Sequence, residues 1–119
     1  MPFQRLLSEL VDRVPGASGA ILADWEGEAV AQSGQIDDYE LKVIGAHKGV
    51  ILNNLRDVVQ RLGGDEPEEI IVTSGQMQTL ILPITLEYFL VLTLRKGASL
   101  GLARFEAHRY AIRLRAEIA

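Results

Sequence analysis

Residues 69–94 read EIIVTSGQMQTLILPITLEYFLVLTL, and this stretch decides the fold. Glu69 to Thr73, Met77 to Ile84 and Tyr88 to Leu94 are rich in β-branched, aromatic and leucine side chains, and a short link separates each from the next. Ser74-Gly75-Gln76 and Thr85-Leu86-Glu87 are long enough for hairpins and too short for crossovers, so three consecutive antiparallel strands are predicted. Ile70-Ile71-Val72, Leu80-Ile81-Leu82 and Phe89-Leu90-Val91-Leu92 are apolar at consecutive positions, so both faces of the sheet need cover. Pro83 and Glu87 interrupt the apolar run from Thr79 to Leu94, which reads as strands instead of a membrane span.

Upstream, the segment from about Asp38 to Leu62 lacks proline and places Leu41, Ile44, Ile51, Leu52, Leu55, Val58, Val59 and Leu62 in one broad helical arc. A helix of that length spans about 37 Å. Gly63-Gly64 ends it, and Asp65-Glu66-Pro67-Glu68 forms an acidic exit loop. Farther back, Gly19 to Ala23 and Glu28 to Gln32 read as a strand pair joined by Asp24-Trp25-Glu26-Gly27. Residues 2–13 place Phe3, Leu6, Leu7, Leu10, Val11 and Val14 at helical spacing before Val14-Pro15-Gly16 stops the helix. Downstream, Ser99 caps a last helix through Ile118 whose core stripe is Leu100, Ala103, Ala107, Ala111, Leu114 and Ile118.

The order is therefore α-β-β-α-β-β-β-α, an α+β sandwich of three layers around a five-stranded antiparallel sheet. The simplest arrangement puts both terminal helices on one face and the central helix on the other. With 119 residues, 48% of them hydrophobic and 24% charged, residues 1–119 are expected to form a single domain with one core. The net charge of -4 repels a phosphate backbone, so nucleic acid is not an expected partner. Without cysteine there is no disulfide framework, thiolate zinc site or cysteine nucleophile. The start has neither the basic end nor the apolar run of a signal peptide, and a cytoplasmic location is expected.

Val14-Pro15-Gly16 with Gly19 ahead of the first strand, Asp24-x-Glu26-Gly27, Pro83 late in the fourth strand, Tyr88-Phe89-Leu90 and Leu100-Gly101-Leu102-Ala103-Arg104 occur in one order over about a hundred residues. In that order and spacing the chain resembles the roadblock/dynein light chain family, its bacterial members in particular. The resemblance implies a profilin-like or longin-like sheet, and a homodimer or heterodimer with a related roadblock-like chain, made by the third strand and the central helix. It also implies a role beside small Ras-like GTPases. Some bacterial relatives activate GTPases of motility and polarity switches by rearranging the GTPase's own catalytic residues, and eukaryotic relatives scaffold GTPases or join dynein.

Beyond its core arc the central helix carries Tyr39, Val43, Ala46 and Val50, at about 140° to 200° from Leu41 on the helical wheel. One sheet does not cover both sets. Gly45 and Gly49 each lower helix propensity by about 1 kcal/mol, a loss that close approach of another backbone offsets. A dimer interface of Tyr39, Val43, Gly45, Ala46, Gly49 and Val50 is expected, the alternative being a scatter of exposed apolar residues. Ile70, Ile71 and Val72 join it, because the third strand stands at the edge of a one-sided meander and an open apolar edge invites pairing. Glu68 and Glu69 are the counter-reading, as gatekeepers against pairing. Lys42, Asn53, Asn54, Arg56, Asp57, Gln60 and Arg61 surround the helix seam as expected partner-binding residues, or else as a solvated face.

Catalytic readings are weaker. Gly63-Gly64-Asp65-Glu66 is similar to the opening of the diguanylate cyclase signature, but proline follows it and it terminates a helix, so a cap with a solvated acidic loop is the reading adopted. The acidic cluster there lacks EF-hand spacing. The phosphate-loop motif of a GTPase is absent from the sequence. His47 and His108 lie on different helices, without metal-ligand spacing, and read as half-exposed helix residues. Arg104, Arg109, Arg113 and Arg115 make the last helix basic, either complementing its macrodipole or forming a patch for an anionic partner. Trp25 at the hairpin tip is read as folding back on the sheet, the alternative being a contact with a partner. No catalytic residue, metal or cofactor is expected, and the leading function is a non-catalytic dimeric regulator or scaffold of a small Ras-like GTPase. The alternative is a ligand sensor of the PAS or GAF kind, which requires a polar and aromatic cavity that 6% aromatic content scarcely provides.

Overall fold

A computed structural model of the chain describes residues 2–24, 28–34, 54, 57, 60, 61, 63 and 68–118. Helix α1 (Pro2–Arg13) opens on proline, whose missing N–H is one that a first turn leaves unbonded anyway. Its spacing buries Leu6, Leu7 and Leu10, and the turn at Val14-Pro15-Gly16 closes with the Ala17 amide donating to the Val14 carbonyl at 3.0 Å.

Strand β1 (Ala17–Asp24) starts two residues earlier than its sequence predicts. Ala-Ser-Gly has little β-propensity, and buried side-chain bonding decides instead. A bulge between Ala17 and Gly19 places Ser18 Oγ 3.0 Å from Thr93 Oγ1, which itself donates to the Gly19 carbonyl at 3.2 Å. Strand β2 (Ala29–Gly34) follows a hairpin closed by reciprocal bonds: the Asp24 amide donates to the Glu28 carbonyl, and the Glu28 amide to Asp24 Oδ1. Gly34 has φ +152°, and a Cβ there would lie 2.5 Å from both Gly19 Cα and the Ser18 carbonyl oxygen. Only glycine permits that approach.

Strands β3 (Ile70–Thr73), β4 (Met77–Pro83) and β5 (Tyr88–Arg95) form the expected meander, and α2 (Leu100–Ile118) completes the chain. Ser99 caps α2 as its sequence predicts, its Oγ accepting from the Leu102 amide at 3.2 Å. The sheet is five-stranded and antiparallel in the order β2-β1-β5-β4-β3.

Strand alternation divides the core in two. Leu22, Leu90 and Leu82 align on one face, under α1 and α2, and belong to the larger buried cluster. Ile21, Val91, Ile81 and Phe89 turn to the other face and form a second buried cluster, with Ile70 packed against it. Both faces are therefore apolar, as the consecutive runs require.

The expected stripe of α2 holds, with Ala103, Ala107, Ala111 and Leu114 buried and Leu100 and Ile118 packed at the core's margin. The stripe is wider than its small residues imply. Tyr110 is fully buried and Glu106 is 6% exposed.

Of the central helix, Asn54, Asp57, Gln60 and Arg61 are helical and exposed. Gly63 takes φ +77° with its amide donating to the Gln60 carbonyl at 3.0 Å, the left-handed stop expected there. Tyr39, Lys42, Val43, Gly45, Ala46, Gly49, Val50, Asn53 and Arg56 lie outside the described residues, as do the helix's core arc, His47, Trp25 and Gly64 to Pro67.

Candidate interaction surface

One cross-strand row shows where the helix layer ends. Ala20, Leu92, Leu80 and Ile71 stand in register on the face that α1 and α2 cover. The first three are buried to 1%, 0% and 0% exposure, whereas Ile71 is 37% exposed. Helix α2 packs against β4, and Ile71 on the next strand out is the exposed member of the row. Ile70 points to the opposite face, in the row of Ile81 and Val91, and Val72 is half-buried in the row of Thr79 and Thr93. Among the described strands β3 pairs with β4 alone, so its outer backbone groups form the sheet's edge. Ile70, Ile71 and Val72 thus lie together on an edge strand. Asn54, Asp57, Gln60 and Arg61 are exposed polar residues, with Arg61 3.5 Å from Asp57 one helical turn away.

The residue before β3 is not the solvated gatekeeper that its charge invites one to read. Glu69 is 20% exposed and turned onto α2, with one carboxylate oxygen 2.7 Å from Arg104 and the other 2.7 Å from His108. Partial burial pushes its pKa up, but the hydrogen bonds and positive charge supplied by His108 and Arg104 outweigh that and hold it below the ordinary carboxylate value. The half-exposed His108 is therefore a strut between helix and edge strand, which no sequence spacing announced.

The other arginines of α2 also find partners within the chain. Arg109 donates to Glu106 at 3.1 Å, Arg113 to Glu9 at 3.1 Å, and Arg115 to the Ile84 carbonyl at 2.7 Å. Only Arg115 stands in the last turn, so the macrodipole accounts for little of this basic character. Tyr110 sits at the α1–α2 seam, its hydroxyl accepting from Arg13 Nε at 2.9 Å and donating to Glu9 at 3.1 Å, with the Arg113 guanidinium 4.9 Å from its ring centre. The Tyr110 hydrogen bond is the main reason that Glu9 is held below its ordinary pKa, Arg113 and Arg5 adding to it against the opposing effect of burial.

Sequence reading missed a second apolar set on α2. Leu102, Phe105 and Ile112 are 39%, 64% and 65% exposed. The wheel argument that singled out the outer face of the central helix finds these residues too, since Phe105 and Ile112 lie opposite the core stripe and Leu102 on its flank. Among the described residues no group of three or more His, Asp or Glu is placed to hold a metal ion, and no helix is long and apolar enough to cross a membrane.

A sheet of this order with its first and last helices on one face is a profilin-like α+β fold. The chain belongs to the Roadblock/LC7 domain family, whose model matches residues 3–94. Among solved structures it is similar to MglB of Myxococcus xanthus, with a TM-score of 0.91 at 14% identity over 99% of this chain and 95% of that one. The gliding protein MglB of Thermus thermophilus gives 0.85 at 21% identity over 97% and 88%. Profilin IA of Acanthamoeba castellanii gives 0.68 at 16% over 98% and 99%, which extends the likeness to the wider fold. No curated protein sequence matches the chain.

Proposed function

We propose that the chain is a non-catalytic regulator or scaffold of a small Ras-like GTPase, acting as a dimer in the cytoplasm, with residues 1–119 as one roadblock-like domain. The observation that carries the reading is the β3 edge, which among the described strands pairs with β4 alone and where Ile71 is exposed at the end of a row whose other members are buried. A second copy or a related roadblock-like chain adding its own β3 would complete both the backbone bonding and the row. Tyr39, Val43, Gly45, Ala46, Gly49 and Val50 of the central helix are assigned to the same interface with Ile70, Ile71 and Val72. Family membership supports the GTPase, and the likeness to a gliding protein supports a place in motility or polarity. Lys42, Asn53, Asn54, Arg56, Asp57, Gln60 and Arg61 are assigned to the GTPase, and the four of these that the structure describes are exposed.

Sedimentation tests the dimer: Val50→Glu is expected to yield monomer and Arg109→Glu to leave the dimer intact, and a wild-type monomer at tens of micromolar rejects the reading. Binding of candidate GTPases loaded with GDP or a nonhydrolysable GTP analogue tests the rest. Preference for the GTP state, lost in an Arg56→Glu, Arg61→Glu double variant that stays dimeric, is expected. Equal affinity for both states rejects the regulator.

A further inference from the structure

We propose that the contact between Glu69 and α2 is a clamp that regulates pairing at the β3 edge: Arg104 and His108 hold a carboxylate that, once released, opposes pairing there. The clamp rests on the reading of β3 as the dimer edge and sets how tightly that edge pairs. Strand alternation puts Ile71 and Thr73 on the side of β3 that faces the layer of α1 and α2, and one step further back it puts Glu69 there too. Thr73 is engaged within the sheet, its Oγ1 accepting from Gln78 Nε2 at 3.3 Å. Ile71 is 37% exposed. Glu69 is the charged residue of the three, and its two carboxylate oxygens lie 2.7 Å from Arg104 and 2.7 Å from His108. Despite partial burial its pKa is held below the ordinary carboxylate value, so what α2 holds is an anion.

Spacing makes this contact a control on the edge. Glu69 and Ile71 are two residues apart, about 7 Å along a strand, so a chain that covers Ile71 also approaches Glu69. Arg104 and His108 stand four apart on α2, one helical turn, which lets both reach the same carboxylate. While they hold it, covering Ile71 strips no unpaired charge of its water. Released, the carboxylate stands beside Ile71 as a hydrated charge. Pairing must then desolvate it or bring it against its counterpart on a second copy, because a twofold interface presents every group twice. A charge on the strand is one of the devices by which proteins keep sheet edges apart. Here the device is present and the last helix holds it off the edge. Arg104 and His108 are thus positioning residues that act on the edge through Glu69.

The experiment compares self-association, by sedimentation over a concentration series, for the wild type, an Arg104→Ala, His108→Ala double variant, the triple variant that adds Glu69→Gln, and Glu69→Gln alone. Alanine keeps helix propensity and both replaced side chains are about half exposed, so the double variant is expected to fold. The double and triple variants lack the clamp alike and differ by one charge, so a difference between them reads the carboxylate and not the loss of a structural tie. The double variant should raise the dissociation constant of the dimer at least about tenfold. The triple variant and Glu69→Gln alone should stay within about threefold of wild type. Equal weakening of the double and triple variants makes the clamp a structural tie and overturns the proposal, as does a Glu69→Gln variant weakened tenfold or a double variant that pairs as tightly as wild type. Each of these outcomes in a wild-type dimer overturns the clamp alone, whereas a wild-type monomer at tens of micromolar overturns the dimer reading and the clamp together.

Discussion

The two edges of the sheet are built on opposite plans. At one edge β2 is small and polar, reading Ala-Val-Ala-Gln-Ser-Gly, and α1 packs along it with Ser8 Oγ 3.0 Å from Ser33 Oγ. Its end is fixed by Gly34, which sits so close to β1 that no side chain fits. At the other edge β3 is short and apolar, reading Ile-Ile-Val-Thr, and Ile71 on its helix-facing side is exposed. A single carboxylate, Glu69, ties its start to α2. An apolar edge strand is open to pairing, since proteins otherwise blunt such edges with charge, proline or cover.

Gly34→Val should have the largest effect, because it places a branched side chain at φ +152° against the β1 backbone. A loss of about 3 kcal/mol in unfolding free energy is expected from denaturant titration. A loss below about 0.5 kcal/mol would mean that β2 is not pinned there. Ile71→Lys acts at the open edge, leaving stability within about 0.5 kcal/mol while weakening self-association at least about tenfold. Unchanged sedimentation would remove β3 from the interface.

Glu69→Gln should lower stability at neutral pH by about 1 kcal/mol. Because the folded pKa of Glu69 is lowered, its contribution is present above the ordinary carboxylate pKa and is lost as pH falls through the lowered folded value. The gap between wild type and variant should therefore close on acidification, and a gap that persists well below the carboxylate range would exclude the ion pairs as its source. Ser8→Ala should be the smallest change, about 0.5 kcal/mol; a loss several times greater would mean that this seal depends on one hydroxyl more than on the packing of α1.

Much of this architecture is legible in the sequence where local chemistry and tertiary need agree. Pro15-Gly16, Ser74-Gly75, Ser99 and Gly63 mark element ends, and the consecutive apolar runs of β4 and β5 announce a sheet covered on both faces. What stayed hidden depends on partners distant in sequence. Ala17-Ser18 falls outside the predicted strand until Thr93 lies beside it, and Tyr110 is missing from the predicted core stripe until Glu9 and Arg13 of α1 satisfy its hydroxyl. Glu69 reads as solvated until α2 brings Arg104 and His108 across it. The apolar β3 run raises the expectation of an edge, but apolarity is shared with buried β5, and only the strand order distinguishes them.

That order also governs when the sheet is able to form. β1 is made early, yet its longest pairing is with β5, about 70 residues later, so closing the middle of the sheet means closing a loop that includes everything between. The β3–β4–β5 meander has only local links and is the natural nucleus, on which β1 and β2 must wait to dock. A chain leaving the ribosome therefore holds β1, with its Ala-Ile-Leu-Ala run, paired to β2 on one side only until β5 has emerged. Chaperone capture of nascent chains should fall sharply once Leu94 has cleared the exit tunnel.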